Sequence, residues 1–197
     1  MIRDLMPSRP IRRLGWYRLL PSLLSIALSS CALAPPSSPL PPVATLPAAV
    51  PETYRLTFEH DDARHDLIAA LRHDRHSLRL ALLSPQGQRL LTLVQDAEGA
   101  RFLPDAAFEP PFSADWLASR LSWGLWPAER LEEAFHDSDW RLETRGQERL
   151  IFEEDHQIAH LKGDARCRVL QDMEGDYRLT ISPLDTRTQT TAPCRAP

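Results

Sequence analysis

The sequence predicts a mainly β protein with a helical insert near its middle. Short alternating or apolar runs separated by polar turns fill the chain on both sides of this insert, as strands do. Only residues 113–135 carry apolar residues at the three- to four-residue spacing of a helix face. Strands and helices do not alternate along the chain, so the class is α+β with an antiparallel sheet.

Length and charge limit the possible functions. The chain has 197 residues, 43% hydrophobic and 25% charged, which suits one globular domain with a substantial core. It holds 23 basic and 27 acidic residues, of which five Arg and one Asp fall within the first 31 positions. The remainder therefore carries a net charge of about −8, which argues against nucleic acid as a partner.

Residues 1–30 combine a basic start with a short apolar run. Leu19–Ser30 is too short to span a bilayer and ends in Leu28-Ser29-Ser30-Cys31, which resembles the bacterial lipobox. The resemblance implies a lipoprotein signal peptide over 1–30, cleavage before Cys31, and acylation of Cys31, so that the membrane is a partner. Ala32, where an Asp would favour the inner membrane, implies a periplasm-facing protein of the outer membrane. A plain secretory signal with a chance cysteine is the alternative.

Residues 31–52 are rich in proline. Proline favours an extended polyproline II chain, which would reach about 60 Å over some 20 residues. We expect a tether that separates the domain from the membrane. A stretch without a selected length is the alternative.

Strand patterns occupy residues 53–183 on both sides of the insert. The predicted strands cover 53–59, 66–71, 78–83, 89–94, 101–103, 140–143, 149–153, 157–161, 166–170 and 177–182. Short loops between consecutive strands predict antiparallel pairing. Residues 184–197 show no periodicity and are expected to form an irregular tail.

The early strands are apolar on both faces. Leu67–Leu71, Leu80–Leu83 and Leu90–Val94 lack the alternation of a sheet with one wet side. Either both faces of this sheet are packed, or one face lines an apolar cavity.

The insert predicts two helices. Ser113 is the expected N-cap, and Leu117, Leu121 and Leu125 fall on one face. Pro127 should end the first helix at Trp126 and open the second.

The whole pattern resembles the LolA/LolB-like fold. That fold is a curved antiparallel half-barrel closed by helices over an apolar cavity for acyl chains. In addition, Leu117–Ala128, with its Leu-Trp-Pro core, resembles the signature of an uncharacterised bacterial lipoprotein family. Members of that family are often encoded beside aryl-polyene and fatty-acid-type synthesis genes. The resemblance assigns no catalytic residue. LolB inserts lipoproteins with a protruding apolar loop, whereas the turns here at 73–76 and 84–88 are polar.

The resemblance implies a carrier of an acyl chain, lipid or lipoprotein, serving for example aryl-polyene-type lipid export. The cavity would be lined by apolar side chains from the first helix and the early strands. These are Leu117, Leu121, Trp123, Leu125, Trp126, Leu80, Leu82, Leu91 and Leu93. An assembly or interaction factor with a filled core, and an enzyme acting on lipid-linked substrates, are the other hypotheses. The protein partner is unknown.

Motifs for catalysis, cofactors and metals are missing from the sequence. The chain contains no Gly-x-Ser-x-Gly, phosphate-loop or dinucleotide motif. His156 and His160 would lie far apart along a strand, and His73 and His76 flank a charged turn, so we expect neither a metal nor a cofactor.

Two cysteines remain besides Cys31. Cys167 and Cys194 form an even pair, which permits a disulfide in the oxidising periplasm. A buried thiol at Cys167 is the alternative.

Overall fold

The computed structural model describes residues 37–46, 52–104 and 110–184, all within one compact unit, Ala34–Pro197. The described residues form ten strands and two α-helices, with a 3-10 helix at Val43–Thr45. The first five strands are β1 (Glu52–His60), β2 (Ala63–His73), β3 (Leu78–Leu83), β4 (Arg89–Asp96) and β5 (Gly99–Phe102). The helices α1 (Ala114–Leu125) and α2 (Ala128–Phe135) follow. The last five strands are β6 (Trp140–Arg145), β7 (Glu148–Glu153), β8 (His156–Gly163), β9 (Arg168–Asp172) and β10 (Tyr177–Pro183).

All ten strands belong to one open antiparallel sheet. Its order is β5-β4-β3-β2-β1-β10-β9-β8-β7-β6. The first meander thus runs from the centre to one end of the sheet, and the second runs from the other end back to the centre. The helices connect the two ends. The predicted mainly antiparallel class, with two meanders and a mid-chain helical pair, is confirmed.

The register assigns side chains to the two faces of the sheet. Leu56 pairs with Leu67, Leu71 with Leu80, and Leu80 with Leu93, and directly opposed residues share a face. These leucines point towards the helices, on what we call the helical face. Residues one position along each strand point to the opposite face.

The turns explain where the observed strands differ from the predicted ones. β2 begins at Ala63 rather than residue 66, because Asp61 and Asp62 form a tight two-residue turn in which His60 pairs with Ala63. Asp61 takes a left-handed conformation there, with φ of 50°. β9 begins at Arg168, because Asp164 accepts hydrogen bonds from the backbone of Arg166 and Cys167 and keeps both residues in a turn.

Candidate functional site

Helix α1 is buried on almost every side. Ser113 caps it by accepting a hydrogen bond from the Trp116 amide at 3.1 Å, and it ends before Pro127, as predicted. Its residues from Trp116 to Gly124 are all buried. A helix that is buried all round needs neighbours on more than one side. The sheet supplies one side, and α2 and residues 37–46 supply others.

The seam between α1 and strands β2–β4 is where the sequence predicts a lipid cavity. The structure leaves a cavity of about 10 Å³ there, room for about one water molecule. Five of the predicted lining residues surround it, namely Leu80, Leu93, Leu121, Leu125 and Trp126. Leu71, Leu78, Ala118 and Gln95 also line it, although the sequence did not single them out.

The other four predicted lining residues are buried away from this cavity. Leu82, Leu91 and Leu117 lie in the packed core. Trp123 is fully buried, and its ring centroid lies 5.8 Å from that of Trp140. In this conformation the seam is therefore closed.

Residues 37–46 contribute to the closure. Val43 and Leu46 are buried in the core, and Leu40 packs against it. The Trp123 indole N–H donates to the Ser38 hydroxyl at 2.8 Å, and the Gln95 amide donates to the Pro41 carbonyl at 3.0 Å. The expectation of an extended tether over 31–52 is therefore wrong for these ten residues, because their apolar side chains gain more by burial than by remaining in water. We call residues 37–46 the cover segment.

A buried polar cluster holds α1 against the other half of the sheet. Arg120 on α1 is 1% exposed and Asp172 on β9 is 0% exposed, with 3.0 Å between Arg120 Nε and Asp172 Oδ2. The Arg120 guanidinium also lies over two indole rings, 4.9 Å from Trp116 and 4.6 Å from Trp123. The sequence analysis missed this cluster. An arginine on a helix face between two buried tryptophans was the available signal.

Asp172 also binds the turn that follows it. Its Oδ1 accepts from the backbone amides of Glu174 and Gly175, and its Oδ2 accepts from the Tyr177 hydroxyl at 3.1 Å. Burial, followed by the charge of Asp172, raises the pKa of Tyr177 well above its usual value. Burial also raises the pKa of Glu174, although Arg120 opposes the change. The carboxylate of Asp172 is thus used fully in binding within the protein, which is a structural role.

Two further arginines bind the last carbonyls of α1. Arg149 Nη1 donates to the carbonyls of Trp123 and Trp126, both at 2.7 Å. Arg168 Nη1 donates to the carbonyl of Gly124 at 2.8 Å. Burial, with the neighbouring charge of Arg168, lowers the pKa of Arg149 to about 10. Cations suit this end of a helix, where carbonyls lack partners and the dipole is negative.

No cluster of three potential metal ligands occurs among the described residues. His160 Nε2 lies 2.9 Å from Glu148 Oε2 at the surface. A surface depression of about 360 Å³ is lined mainly by charged side chains in and around the β1–β2 and β9–β10 turns, among them Asp61, Asp62 and Asp176. Its polar lining does not suit an acyl chain.

The predicted covalent sites are only partly within the described residues. Cys167 is disulfide-bonded. Its predicted partner Cys194 and the predicted acylation site Cys31 both lie outside the described residues, so the pairing and the acylation stay predictions. The signal peptide over 1–30 also lies outside, as does most of the tail over 184–197. None of the helices in the described part of the chain is long and apolar enough to cross a membrane.

The comparison with family models matches the folded domain as a whole. The model described as "Protein of unknown function (DUF3261)" covers residues 52–185, from the first residue of β1 to just beyond β10. No curated protein matches the sequence. Since the match spans well over half of the chain, the protein belongs to the DUF3261 family.

Proposed function

We propose that this chain is a periplasm-facing lipoprotein of the outer membrane that binds an acyl chain between α1 and strands β2–β4. The observation that carries the proposal is the composition of this seam. Eight of its nine lining residues are apolar, and the amide of the exception, Gln95, donates a hydrogen bond to the cover segment. Ligand sites for lipids are mainly apolar, with few polar groups to orient the guest.

The cover segment supplies the means of opening. In the described structure, only the Ser38 hydroxyl and the Pro41 carbonyl of this segment form hydrogen bonds with side chains of α1 and the sheet. Its contribution to the core is otherwise the burial of Leu40, Val43 and Leu46. These aliphatic side chains resemble an acyl chain in chemistry and bulk. When the segment is displaced, the core loses this apolar burial. An acyl chain in place of these side chains restores most of it.

The fold is compatible with a LolA/LolB-like half-barrel. Helix α1 contacts β4 and β5 near one end of the sheet and also β9 in the other half. β5 and β9 are six positions apart in the sheet order, about 29 Å in a flat sheet. A helix of 12 residues is only about 18 Å long. Curvature of the sheet around α1 would account for both contacts, and aryl-polyene-type lipids are one class of cargo for such a carrier.

A second candidate is an assembly or interaction factor that binds no lipid. The closed seam favours it, because about 10 Å³ of free volume is far below the ~300–1,000 Å³ of ordinary ligand sites. The two candidates differ in one property. An acyl carrier opens in the presence of its ligand, and an interaction factor does not.

The test uses residues 34–197, which contain every described helix and strand in one compact unit. Fatty acids of increasing chain length are titrated into this chain, with tryptophan fluorescence and heat as the readouts. We expect saturable binding near one ligand per chain, with a fluorescence change from Trp126 at the seam. Leu125→Gln should weaken binding, because Leu125 lines the seam but is partly exposed and tolerates a polar residue better than the buried Leu121.

Two variants make the test specific. Val43→Ser weakens the cover segment and should strengthen acyl binding, since less burial is lost on opening. Leu142→Gln, a partly buried leucine on β6 outside the seam, is the control and should leave binding unchanged. Absence of saturable binding in both the parent chain and Val43→Ser, with thermal melts showing both folded, would reject the carrier and favour the interaction factor.

A further inference from the structure

The second apolar face of strands β2 and β3 is not used by the core. Ile68 pairs with Leu83, and Ala70 pairs with Ala81, all pointing away from the helices. Each of the four is partly exposed. The sequence pattern left open whether this face is packed or lines a cavity. In the structure it is a partly exposed surface of small and aliphatic side chains.

Arginines border this surface on both sides. Arg55 pairs with Ile68, and Leu83 pairs with Arg89, which extends the first row of the face at either end. Two residues further along β2 and β3, Arg72 pairs directly with Arg79 beyond the alanines. Val94 and Arg101 continue this row across β4 and β5. We call these five exposed arginines, with Ile68, Ala70, Ala81 and Leu83 between them, the arginine-bordered face. Val94, in the same row as Arg79, is buried.

The pair Arg72 and Arg79 is unfavourable within the protein. Two like charges directly opposite each other on adjacent strands destabilise a sheet. No described carboxylate forms an ion pair with either guanidinium, and Asp74 acts on Arg79 only through its charge. Most residues would fit at these two exposed positions. The repulsion between two arginines there therefore points to an anionic partner.

Acidic groups neutralise only part of the face: Arg101 and Arg89 each have a partner in the protein, whereas none of the described carboxylates forms an ion pair with Arg55, Arg72 or Arg79. Asp96 is paired with Arg101 at 2.6 Å. Asp66 accepts from the Thr57 hydroxyl at 2.6 Å and lies 3.6 Å from Arg64, one row outside the face. None of the residues that the register places in the rows of Ile68, Ala70 and Arg72 is acidic.

We propose that the arginine-bordered face docks the domain on an anionic phospholipid surface. The chemistry fits, since arginines bind phosphate groups and the small apolar residues between them allow close approach to the interface. The chain outside the described residues also favours this partner. Five residues lie between Cys31 and Ser37, so the Cα atoms of these two residues are at most about 22 Å apart. If Cys31 is acylated, the domain cannot leave the bilayer surface. The proposal rests on the proposed membrane location but not on acyl-chain binding.

The net charge of the domain makes the orientation specific. About eight more acidic than basic residues follow Cys31, so an anionic bilayer repels the domain as a whole. Docking through a local cationic face directs the remaining acidic surface away from the lipid.

The experiment measures cosedimentation of residues 34–197 with vesicles. We expect binding to phosphatidylcholine vesicles that contain phosphatidylglycerol, little binding to pure phosphatidylcholine, and loss of binding as salt rises well above ~0.1 M. Arg72→Gln with Arg79→Gln should lower the partition coefficient about 25-fold, from about fivefold for each arginine near an anionic surface. The same double variant should remain folded, because it removes a repulsive pair.

The matched control removes the same charge elsewhere. Arg145→Gln with Arg166→Gln changes two exposed arginines in the other half of the domain and should alter partition by less than about twofold. Equal losses in both double variants would mean a general charge effect and overturn the docking face. Lack of binding by the parent chain, or equal binding to neutral vesicles, would overturn it too. Fatty-acid titration of the same variants separates this outcome from failure of the carrier proposal.

Discussion

Arg120 on α1 and Asp172 on β9 form an ion pair that is closed to solvent, 52 residues apart in the sequence. We expect Asp172→Asn to lower the free energy of unfolding by roughly 3–5 kcal/mol, because it removes the fully buried counter-charge of the Arg120 guanidinium. Urea denaturation measures the change. Arg120→Met combined with Asp172→Asn should cost less than the sum of the single changes.

Glu174 is the control for that pair. Its carboxylate lies 3.5 Å from Arg120 Nη2 but is 36% exposed, so Glu174→Gln should cost less than ~1 kcal/mol. Similar losses for Asp172→Asn and Glu174→Gln would contradict the assignment of the buried pair as the main attachment of α1 to β9.

Gly124 allows α1 to approach β10 closely. A Cβ added at this position would lie 2.5 Å from Ile181 Cδ1. Gly124→Ala gains about 1 kcal/mol of helix propensity but overpacks the contact, at a cost of roughly 1–3 kcal/mol. We expect a net loss of stability in thermal melts. Ile181→Val removes the obstructing methyl group, so the double variant should be at least as stable as Ile181→Val alone. A stabilising single Gly124→Ala change would show that the contact relaxes freely.

Asp164 stabilises the β8–β9 turn, and this contribution should be lost in acid. Hydrogen bonds from the backbone amides of Arg166 and then Cys167 lower the pKa of its carboxyl. A carboxyl with a lowered folded pKa contributes stability above its unfolded pKa, near 3.9, and loses that contribution as pH falls through the folded value. Asp164→Asn should therefore unfold at lower urea than the parent at pH 7 and at nearly the same urea at about pH 2. A difference that persists unchanged in acid would reject the electrostatic origin.

The disulfide of Cys167 is predicted to join Cys194. Closing a loop of about 27 residues contributes roughly 3 kcal/mol in the chain-entropy model. Cys194→Ser should lower the stability of residues 34–197 by about this amount and free one thiol, counted in the denatured and non-reduced protein. Two free thiols in the parent chain would exclude the bond.

Cys31 is predicted to anchor the protein. In cells, Cys31→Ala should release the protein from the membrane fraction or stop its processing, because the thiol that accepts the lipid is lost. Subcellular fractionation with Ser30→Ala as the control measures this, since a small residue before the cysteine is retained. An unchanged membrane fraction for Cys31→Ala would falsify the anchor.

Local patterns in the sequence were sufficient to predict most secondary structure. Ser113 starts α1 by capping it, and Pro127 ends it, in both cases through backbone groups close by in the chain. Short turns likewise set the ends of the strands, so these limits could be predicted from neighbouring residues. The packing of the cover segment could not be predicted in this way, because its prolines suit an extended tether equally well. Only tertiary contacts decide whether Val43 is buried. The pairing of Arg120 with Asp172 depends on a sheet register that brings distant residues together.

The candidate seam was half predictable for the same reason. Periodicity identified the apolar faces of α1 and of β3 and β4, and five of the predicted residues do surround one cavity. Periodicity gives no measure of the space left between two apolar faces, so the closure of the seam required the packed structure.

The central position of β1 beside β10 has a consequence for how the chain folds. Tyr54 pairs with Pro183 and Glu59 with Arg178, so the last strand to be synthesised completes the middle of the sheet. Each meander can form from local hairpins, whereas joining them closes a loop that spans almost the entire domain, which is entropically slow. Until β10 arrives, the early half of the protein has an unpaired edge on β1 and is prone to wrong pairing. A truncation that removes β10 would therefore split the sheet at its centre.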